Sequence, residues 1–214
     1  MKKYFLILLL FIFSSYSYSQ KGKAILILKD GTQINGIGEI SGFSSIITVK
    51  FKNDTLKYKT YNSKEILGID IFEKDYKRKF MYRNIEGEKF PRILELISVG
   101  DLSLYLRLYD EGSFIKAVFN GAVSQDADFW LSIPRISYFI GKGESNNVKN
   151  FYTRGLPFSK SFKNSVKDYF NDCPELIAKL ENDGFSKNNV FEVVDFYNRN
   201  CYKSTSLAKE ENKN

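Results

Sequence analysis

The sequence predicts an α+β protein in which an N-terminal antiparallel β-rich domain precedes a small C-terminal helical segment. In residues 20–151, short β-branched and aromatic runs recur about every ten residues, separated by turn dipeptides. In residues 157–202, apolar side chains recur three and four positions apart, the spacing of amphipathic helices. The length of 214 residues fits one ordinary domain or two small ones. The strand pattern is compatible with a sandwich, a roll or a barrel.

The β domain begins with its clearest strand pair. An apolar run from Ala24 to Leu28 leads into Asp30-Gly31, and a second run covers Thr32–Ile40. Asp-Gly supplies the positive φ angles that a tight turn requires, so we predict a hairpin. The further predicted strands are Ser45–Lys52, Leu56–Tyr61, Ile69–Phe72, Lys77–Arg83, Ile93–Val99, Leu102–Tyr109, Phe114–Phe119 and Ile136–Ile140. In Ile93–Val99, apolar groups point to both faces, which predicts a strand covered on both sides.

The C-terminal segment carries the first two of three predicted helices. The first has one apolar stripe, formed by Phe162, Val166, Tyr169 and Phe170. The second has Pro174 in its first turn and Asp172 or Cys173 as its cap. We expect this helix to end at Gly184.

The third helix is predicted from the longest apolar stripe in the chain, which extends from Val190 to Cys201. Its predicted cap is Ser186 or Asn188. Residues 203–214 are rich in lysine, glutamate and asparagine, which predicts a disordered tail.

Residues 1–19 have the three parts of a cleavable signal peptide. Lys2 and Lys3 precede the apolar run Tyr4–Phe13, and serines occupy the −3 and −1 positions of a cut before Gln20. This run is too short for a transmembrane helix of roughly 20 residues, although a retained anchor or a buried strand is an alternative. Cleavage removes two lysines and lowers the formal net charge from +7 to +5. No later run is long enough to cross a bilayer as a helix, so we expect a periplasmic or secreted protein.

The two cysteines are predicted to form one disulfide, because export delivers the chain to an oxidising space. If the second and third helices form an antiparallel pair, Cys173 and Cys201 fall at the same end of that pair. Their separation of 28 residues gives a stabilisation of roughly 3 to 4 kcal/mol in the chain-entropy model.

The residue inventory excludes several chemistries. The chain has no histidine, which rules out Ser/His/Asp and Cys/His catalysis and His-ligated zinc sites. Two cysteines alone cannot hold a zinc ion or an iron–sulfur cluster. We therefore predict no metal and no cofactor. We also predict no nucleic acid partner, because an exported protein meets little nucleic acid.

The most basic stretch contains Lys77, Arg78 and Lys79, interleaved with aromatic residues in the pattern of a polyanion-binding strand. Charged residues on an edge strand also prevent edge-to-edge pairing, and this protective role is the favoured interpretation. Trp130, the only tryptophan, is a candidate for stacking on a sugar, with a core anchor as the favoured alternative.

Asp126 and Asp128 form the best carboxylate pair for a glycosidase-like or cation-binding site. Their stretch lacks the glycine and the later ligands of a calcium loop, so a polar loop is the favoured interpretation. A hydrolase would need a second acid, such as Asp101, Asp110 or Glu111, at about 5 to 10 Å across a cleft.

Four short motifs carry a resemblance to a family. They are Lys29-Asp30-Gly31-Thr32, Gly38-Glu39-Ile40, Asp172-Cys173-Pro174-Glu175-Leu176 and Phe196-Tyr197-Asn198. In these motifs the chain resembles the uncharacterised exported proteins of Bacteroidetes, which combine a β-rich module with a helical end. The resemblance implies a cell-envelope or secreted setting, and it implies no activity and no functional residue.

Three functions remain after these exclusions. The leading hypothesis is a non-enzymatic exported module that binds or scaffolds in the cell envelope, with a glycan, a lipid headgroup or an envelope protein as its partner. The second is a carboxylate-dependent hydrolase acting on glycans. The third is a small-ligand carrier with an apolar cavity inside a barrel.

Overall fold

A computed structural model describes residues 22–43, 46–53, 57–74, 76–109, 135–143, 145–155 and 160–202. The fold is α+β, as predicted: a sheet of ten strands precedes three short helices in the described part of the chain. The strands are β1 (Gly22–Leu28), β2 (Gln33–Phe43), β3 (Ile46–Lys52), β4 (Lys59–Tyr61), β5 (Ile66–Glu73), β6 (Tyr76–Ile85), β7 (Arg92–Ser98), β8 (Leu102–Tyr109), β9 (Arg135–Lys142) and β10 (Asn147–Arg154). The helices are α1 (Phe162–Tyr169), α2 (Pro174–Glu181) and α3 (Val190–Asn200).

The strand order across the sheet is β10-β9-β8-β7-β6-β5-β1-β2-β3-β4, and neighbours in this order are antiparallel. An additional parallel pairing joins the two ends of one half, with Asn147 opposite Asn84 and Val148 opposite Ile85. Strands β6 to β10 therefore close into a ring, whereas β1 to β5 continue from β6 as an open sheet.

The hairpin predicted at Asp30-Gly31 is confirmed. Gly31 has a φ of 86°, and the side chain of Asp30 accepts a hydrogen bond from the amide of Thr32 at 2.9 Å. The same bond holds the pKa of Asp30 below its ordinary value. The amide of Leu28 donates to the carbonyl of Thr32 at 2.9 Å, which closes the turn.

Two separate cores lie on opposite faces of β6 and β7. The N-terminal core consists of Ala24, Leu26, Val49, Phe51, Ile66, Ile69, Ile71, Phe80, Tyr82 and Ile93. The ring core consists of Ile85, Leu94, Tyr105, Phe139 and Val148, which fill the ring. Because successive side chains on a strand point to opposite faces, Ile93 enters one core and Leu94 the other. The prediction that Ile93–Val99 is covered on both sides holds for Ile93 and Leu94, whereas Ile97 and Val99 are exposed.

Two glycines allow neighbouring strands to approach closely. A Cβ atom at Gly36 would lie 2.2 Å from the carbonyl oxygen of Lys52, and one at Gly68 would lie 2.1 Å from that of Phe80. Both distances are far below van der Waals contact, so a side chain at either position would displace a neighbouring strand.

The helices cover the outer side of the ring. Their buried residues, among them Val166 and Val194, pack with Leu104, Ile140 and Phe151 from β8, β9 and β10. One polar contact fixes α3 on β8. The side-chain amide of Asn198 accepts from the backbone N–H of Leu102 and donates to its carbonyl, both at 2.9 Å.

Cys173 and Cys201 form the predicted disulfide, with their Cα atoms 5.6 Å apart. Cys173 is the N-cap residue of α2 and Cys201 the C-cap residue of α3, so both lie at the same end of the helical segment, as expected. The hydroxyl of Tyr197 donates to Asp172 at 2.7 Å beside this bridge.

Several local expectations need correction. The strand β10 was not predicted, and it extends through Arg154, past the expected limit of the β domain at residue 151. The N-cap of α3 is Asn189 rather than Ser186 or Asn188, although Asn189 does accept hydrogen bonds from the amide and hydroxyl of Ser186.

The basic strand β6 is not an edge strand, which corrects the protective interpretation. It pairs with β5 over Tyr76–Met81, with β7 over Lys79–Arg83 and with β10 at Asn84 and Ile85. The predicted strand Phe114–Phe119, the signal peptide and the tail lie outside the described residues. None of the helices in the described part of the chain is long and apolar enough to span a membrane.

Candidate functional site

The sequence-predicted basic residues Lys77, Arg78 and Lys79 all lie on β6, and the chain's own carboxylates engage two of them. Arg78 donates from Nε and Nη2 to Glu95 at 2.8 and 2.7 Å and from Nη1 to Glu73 at 3.1 Å. The Glu95 carboxylate holds the pKa of Arg78 above its ordinary value. Lys77 forms an ion pair of 3.0 Å with Asp70 on the neighbouring strand. Arg78 therefore stabilises the fold, and a role for this strand in binding remains a prediction.

The other predicted site residues, Trp130, Asp126 and Asp128, lie outside the described residues. Of the acids named as partners for a hydrolase, Asp101 is described, and it is exposed in the turn between β7 and β8. The described ranges contain no cluster of three or more histidine, cysteine or acidic residues that could hold a metal ion.

An open groove of about 490 Å³ lies between β10 and α1. The lining residues that offer hydrogen bonds or aromatic surface are Asn150, Phe151, Tyr152, Thr153, Ser165 and Tyr169. A second groove of about 450 Å³ shares Lys149 and Tyr169 with the first. It adds residues from the ends of β6, β9 and β10 and from the adjoining turns, namely Asn84, Glu86, Lys142, Ser145 and Asn147. We call the two together the β10–α1 groove.

A local irregularity of β10 builds the aromatic wall of this groove. The pairing register with β9 shifts between Asn150 and Tyr152, so that the adjacent residues Phe151 and Tyr152 both pack towards the helices. Phe151 contacts Tyr169 edge to face at a ring-centroid distance of 5.7 Å, and Tyr152 contacts Phe162 at 5.4 Å.

Hydrogen-bonding side chains lie beside these rings. The amide of Asn150 donates to the hydroxyl of Thr153 at 3.3 Å, and that hydroxyl also shares a hydrogen bond with Ser137 at 2.8 Å. Asn84 donates to Asn147 at 3.1 Å in the second part of the groove. The exposed amides keep donors and acceptors that these contacts do not use.

The charged side chains leave the groove with one excess positive charge, because Lys142, Lys149 and Lys160 stand against Glu86 and Asp168. Burial raises the pKa of both Tyr152 and Tyr169, so their hydroxyls stay protonated. Among the described residues, neither hydroxyl has a hydrogen-bond partner. Lys160 pairs with Asp168, and Lys149 lies 3.7 Å from Glu86, so each lysine of these pairs has an acid beside it.

Sequence reasoning missed this groove because it missed β10. The alternation that indicates a strand breaks at Phe151-Tyr152, and the closing pair with β6 connects residues more than sixty positions apart. An available signal was the polar and aromatic composition of Asn147–Arg154.

The ring core bears on the carrier hypothesis. Its large side chains, Tyr105 and Phe139 among them, are 1% and 2% exposed and occupy the interior of the ring. A carrier would need an apolar cavity in place of packed side chains, and this hypothesis stays a prediction.

The fold and the groove together define a β-rich chain that carries an open polar and aromatic cleft beside a disulfide-linked helical segment. No family model, curated protein or solved structure matches the chain.

Proposed function

We propose that this protein is an exported, non-enzymatic binding module of the cell envelope that holds a glycan in the β10–α1 groove. One observation carries the proposal. The groove combines protonated tyrosine hydroxyls and exposed side-chain amides with the half-buried ring of Tyr169, and four of its five charged residues lie in two ion pairs. Sugars present hydroxyl groups at their rims and apolar C–H faces, so they need both kinds of contact.

The setting in the envelope rests on two supports. The N-terminal pattern of Lys2, Lys3 and the run Tyr4–Phe13 is typical of an export signal. The disulfide between Cys173 and Cys201 is compatible with an oxidising space outside the cytoplasm. The resemblance to exported Bacteroidetes proteins points to the same setting.

A glycan suits this groove better than a lipid headgroup or a protein partner. Two of the three groove lysines, Lys149 and Lys160, already have acidic partners, which weakens the attraction of the groove for an anionic headgroup. A stable protein interface requires about 800 Å² from each partner and usually an apolar centre. The groove is instead an open cleft bordered by amides and hydroxyls.

A glycan array with the chain that begins at Gln20 tests the proposal. We expect binding to a subset of neutral glycans, and we expect the double variant Asn150→Ala/Tyr169→Phe to lower the affinity by roughly tenfold or more, because two neutral hydrogen bonds are lost. Tyr58→Phe, which changes an exposed tyrosine before β4, is the matched control and should bind as the wild type does.

Three results would contradict the proposal. They are the absence of glycan binding, full affinity in the folded double variant, and turnover of a polysaccharide that Asp126→Asn abolishes. The last result would assign the protein to the carboxylate hydrolases.

A further inference from the structure

Arg83 is a buried cation whose described contacts are all with neutral groups, and 5% of its surface is exposed. Its Nε donates to the hydroxyl of Tyr105 in the ring core at 3.0 Å. Its Nη1 donates to the carbonyl of Tyr82 at 3.1 Å and to the side-chain oxygen of Asn146 at 3.4 Å. Its Nη2 has the thioether sulfur of Met81 at 3.2 Å, which is a weak acceptor.

Two more arginines lie on the ring side of the sheet. Arg92 is directly opposite Arg83 in the pairing of β6 with β7, and Arg107 follows Tyr105 by two positions on β8. Glu88 bridges these two arginines. It accepts from Nε of Arg92 at 2.5 Å and from Nη1 of Arg107 at 3.2 Å. We call Arg83, Arg92 and Arg107 the arginine cluster. Glu88 forms ion pairs with Arg92 and Arg107, and it forms none with Arg83.

The cluster has access to solvent on the side of the turn between β6 and β7. The side chains of Arg92 and Glu88 are 28% and 29% exposed. Asn146, which contacts Arg83, is exposed in the turn before β10. The edge of the cluster at Arg92 and Glu88 is therefore partly exposed to solvent, whereas Arg83 and Arg107 are buried behind it.

The hydrogen-bond donors and the charge of Arg83 indicate the class of ligand that the cluster would bind. Hydrogen bonds to neutral acceptors, and the position of its Cζ 5.1 Å from the ring centroid of Tyr105, recover part of the hydration that a buried cation loses. A bound anion would replace the remaining part of the lost hydration. Nη2 is the donor for it, because its acceptor in the structure, the Met81 sulfur, is the weakest of the four. Phosphoryl oxygens suit this arrangement, because guanidinium groups bind them through paired hydrogen bonds and one tetrahedral group can serve more than one arginine.

We propose that the arginine cluster is a binding site for a phosphoryl group, either inorganic phosphate or a phosphate ester. The site lies on the ring side of β6 and does not depend on glycan binding in the β10–α1 groove.

Thermal unfolding of the chain from Gln20 tests this site, with sodium chloride as the reference at matched ionic strength. A ligand that binds only the native state raises the melting temperature as its concentration exceeds Kd, so we expect phosphate to raise it by several degrees. Acetate should raise it less. A larger response to glucose 1-phosphate than to inorganic phosphate would place the phosphoryl group on a sugar ester, and the reverse order would identify the free ion.

Two variants of Arg83 and one matched control complete the test. Arg83→Met should abolish the phosphate response, and Arg83→Lys, which keeps the charge but loses the planar fork, should weaken the affinity by roughly tenfold or more. Arg78→Met is the control on the same strand. It removes an arginine that Glu95 and Glu73 already neutralise, so it should lower stability and keep the phosphate response.

The stabilities of the two methionine variants without phosphate give a second test. Arg83→Met should then be destabilised less than Arg78→Met, because it removes a cation without a carboxylate partner. A wild-type melting temperature that follows ionic strength alone would overturn the proposal. So would an acetate response equal to the phosphate response, or a phosphate response that persists unchanged in Arg83→Met and Arg83→Lys.

Discussion

The open half of the sheet, β1 to β5, and the ring half, β6 to β10, treat buried charge differently. In the open half, the buried acids Glu39 and Asp70 have lysines at 3.6 and 3.0 Å on neighbouring strands. In the ring half, the buried Arg83 contacts neutral groups, and Arg107 shares a glutamate with another arginine. The buried acids of the open half therefore have lysine partners, whereas the buried Arg83 of the ring half has no carboxylate beside it among the described residues.

The strand β6 belongs to both halves and shows the difference within ten residues. Arg78 points to the side of the N-terminal core, where Glu73 and Glu95 neutralise it. Arg83, five positions later, points to the ring, where the described contacts are neutral. Because successive side chains on a strand point to opposite faces, the two arginines have different neighbours: acids around Arg78 and neutral groups around Arg83.

The largest expected effect concerns the helical cover of the ring half. Cys201→Ser should lower the free energy of unfolding by roughly 3 to 4 kcal/mol, because the open loop of 28 residues regains entropy in the unfolded state. Urea unfolding measures the change, and reduced wild-type protein should match the variant. An unchanged midpoint would show that the bridge does not stabilise the helical segment.

The next effect concerns the N-terminal core. Burial raises the pKa of Tyr82 to about 12 from an ordinary value of 10.0, with a smaller contribution from Glu65. Between these pH values the native state keeps a proton that the unfolded state has lost, so stability falls as pH rises. The loss attributable to this group is about 2 to 3 kcal/mol across that interval.

Urea midpoints from pH 8 to pH 12 test this dependence. Tyr82→Phe should flatten the alkaline part of the curve, although it also removes a weak hydrogen bond of 3.4 Å to the carbonyl of Tyr61. Tyr58→Phe, at an exposed position, should retain the wild-type curve. Equal alkaline slopes in wild type and Tyr82→Phe would contradict the assignment.

The smallest effect concerns the surface of the open half. Lys77 is 51% exposed, which limits its contribution, but its partner Asp70 is buried, so Lys77→Ala should lower stability by about 1 to 2 kcal/mol. Glycan binding should be unchanged, as measured on the same array. A folded Lys77→Ala variant that no longer binds would move the site to the basic strand that the sequence pattern indicates.

The same division explains which features were predictable from the sequence. The hairpin at Asp30-Gly31 and the helical stripe from Val190 to Cys201 depend on local turn chemistry and periodicity, and the structure confirms both. The ring depends on the pairing of Asn147 with Asn84, and no local pattern indicates such a distant partner. The β10–α1 groove was missed for that reason, whereas the disulfide was predicted because two cysteines allow one pairing.

Arg83 was missed for a related reason. The sequence places it in a run of basic residues beside Arg78, and both look equally exposed in a strand pattern. The ring makes the difference, since it buries one arginine among Tyr105 and Met81 and leaves its charge without a carboxylate. The burial of Arg83 could be predicted only if the pairing that closes the ring were known.

Hydrogen–deuterium exchange with a glycan selected on the array tests most directly whether the ring half holds the ligand. We expect slower exchange on binding in peptides from Asn147–Arg154 and Phe162–Tyr169, with β1 to β5 unchanged. Protection confined to β1–β5, or to the basic residues Lys77–Lys79, would contradict the assignment of binding to the ring half.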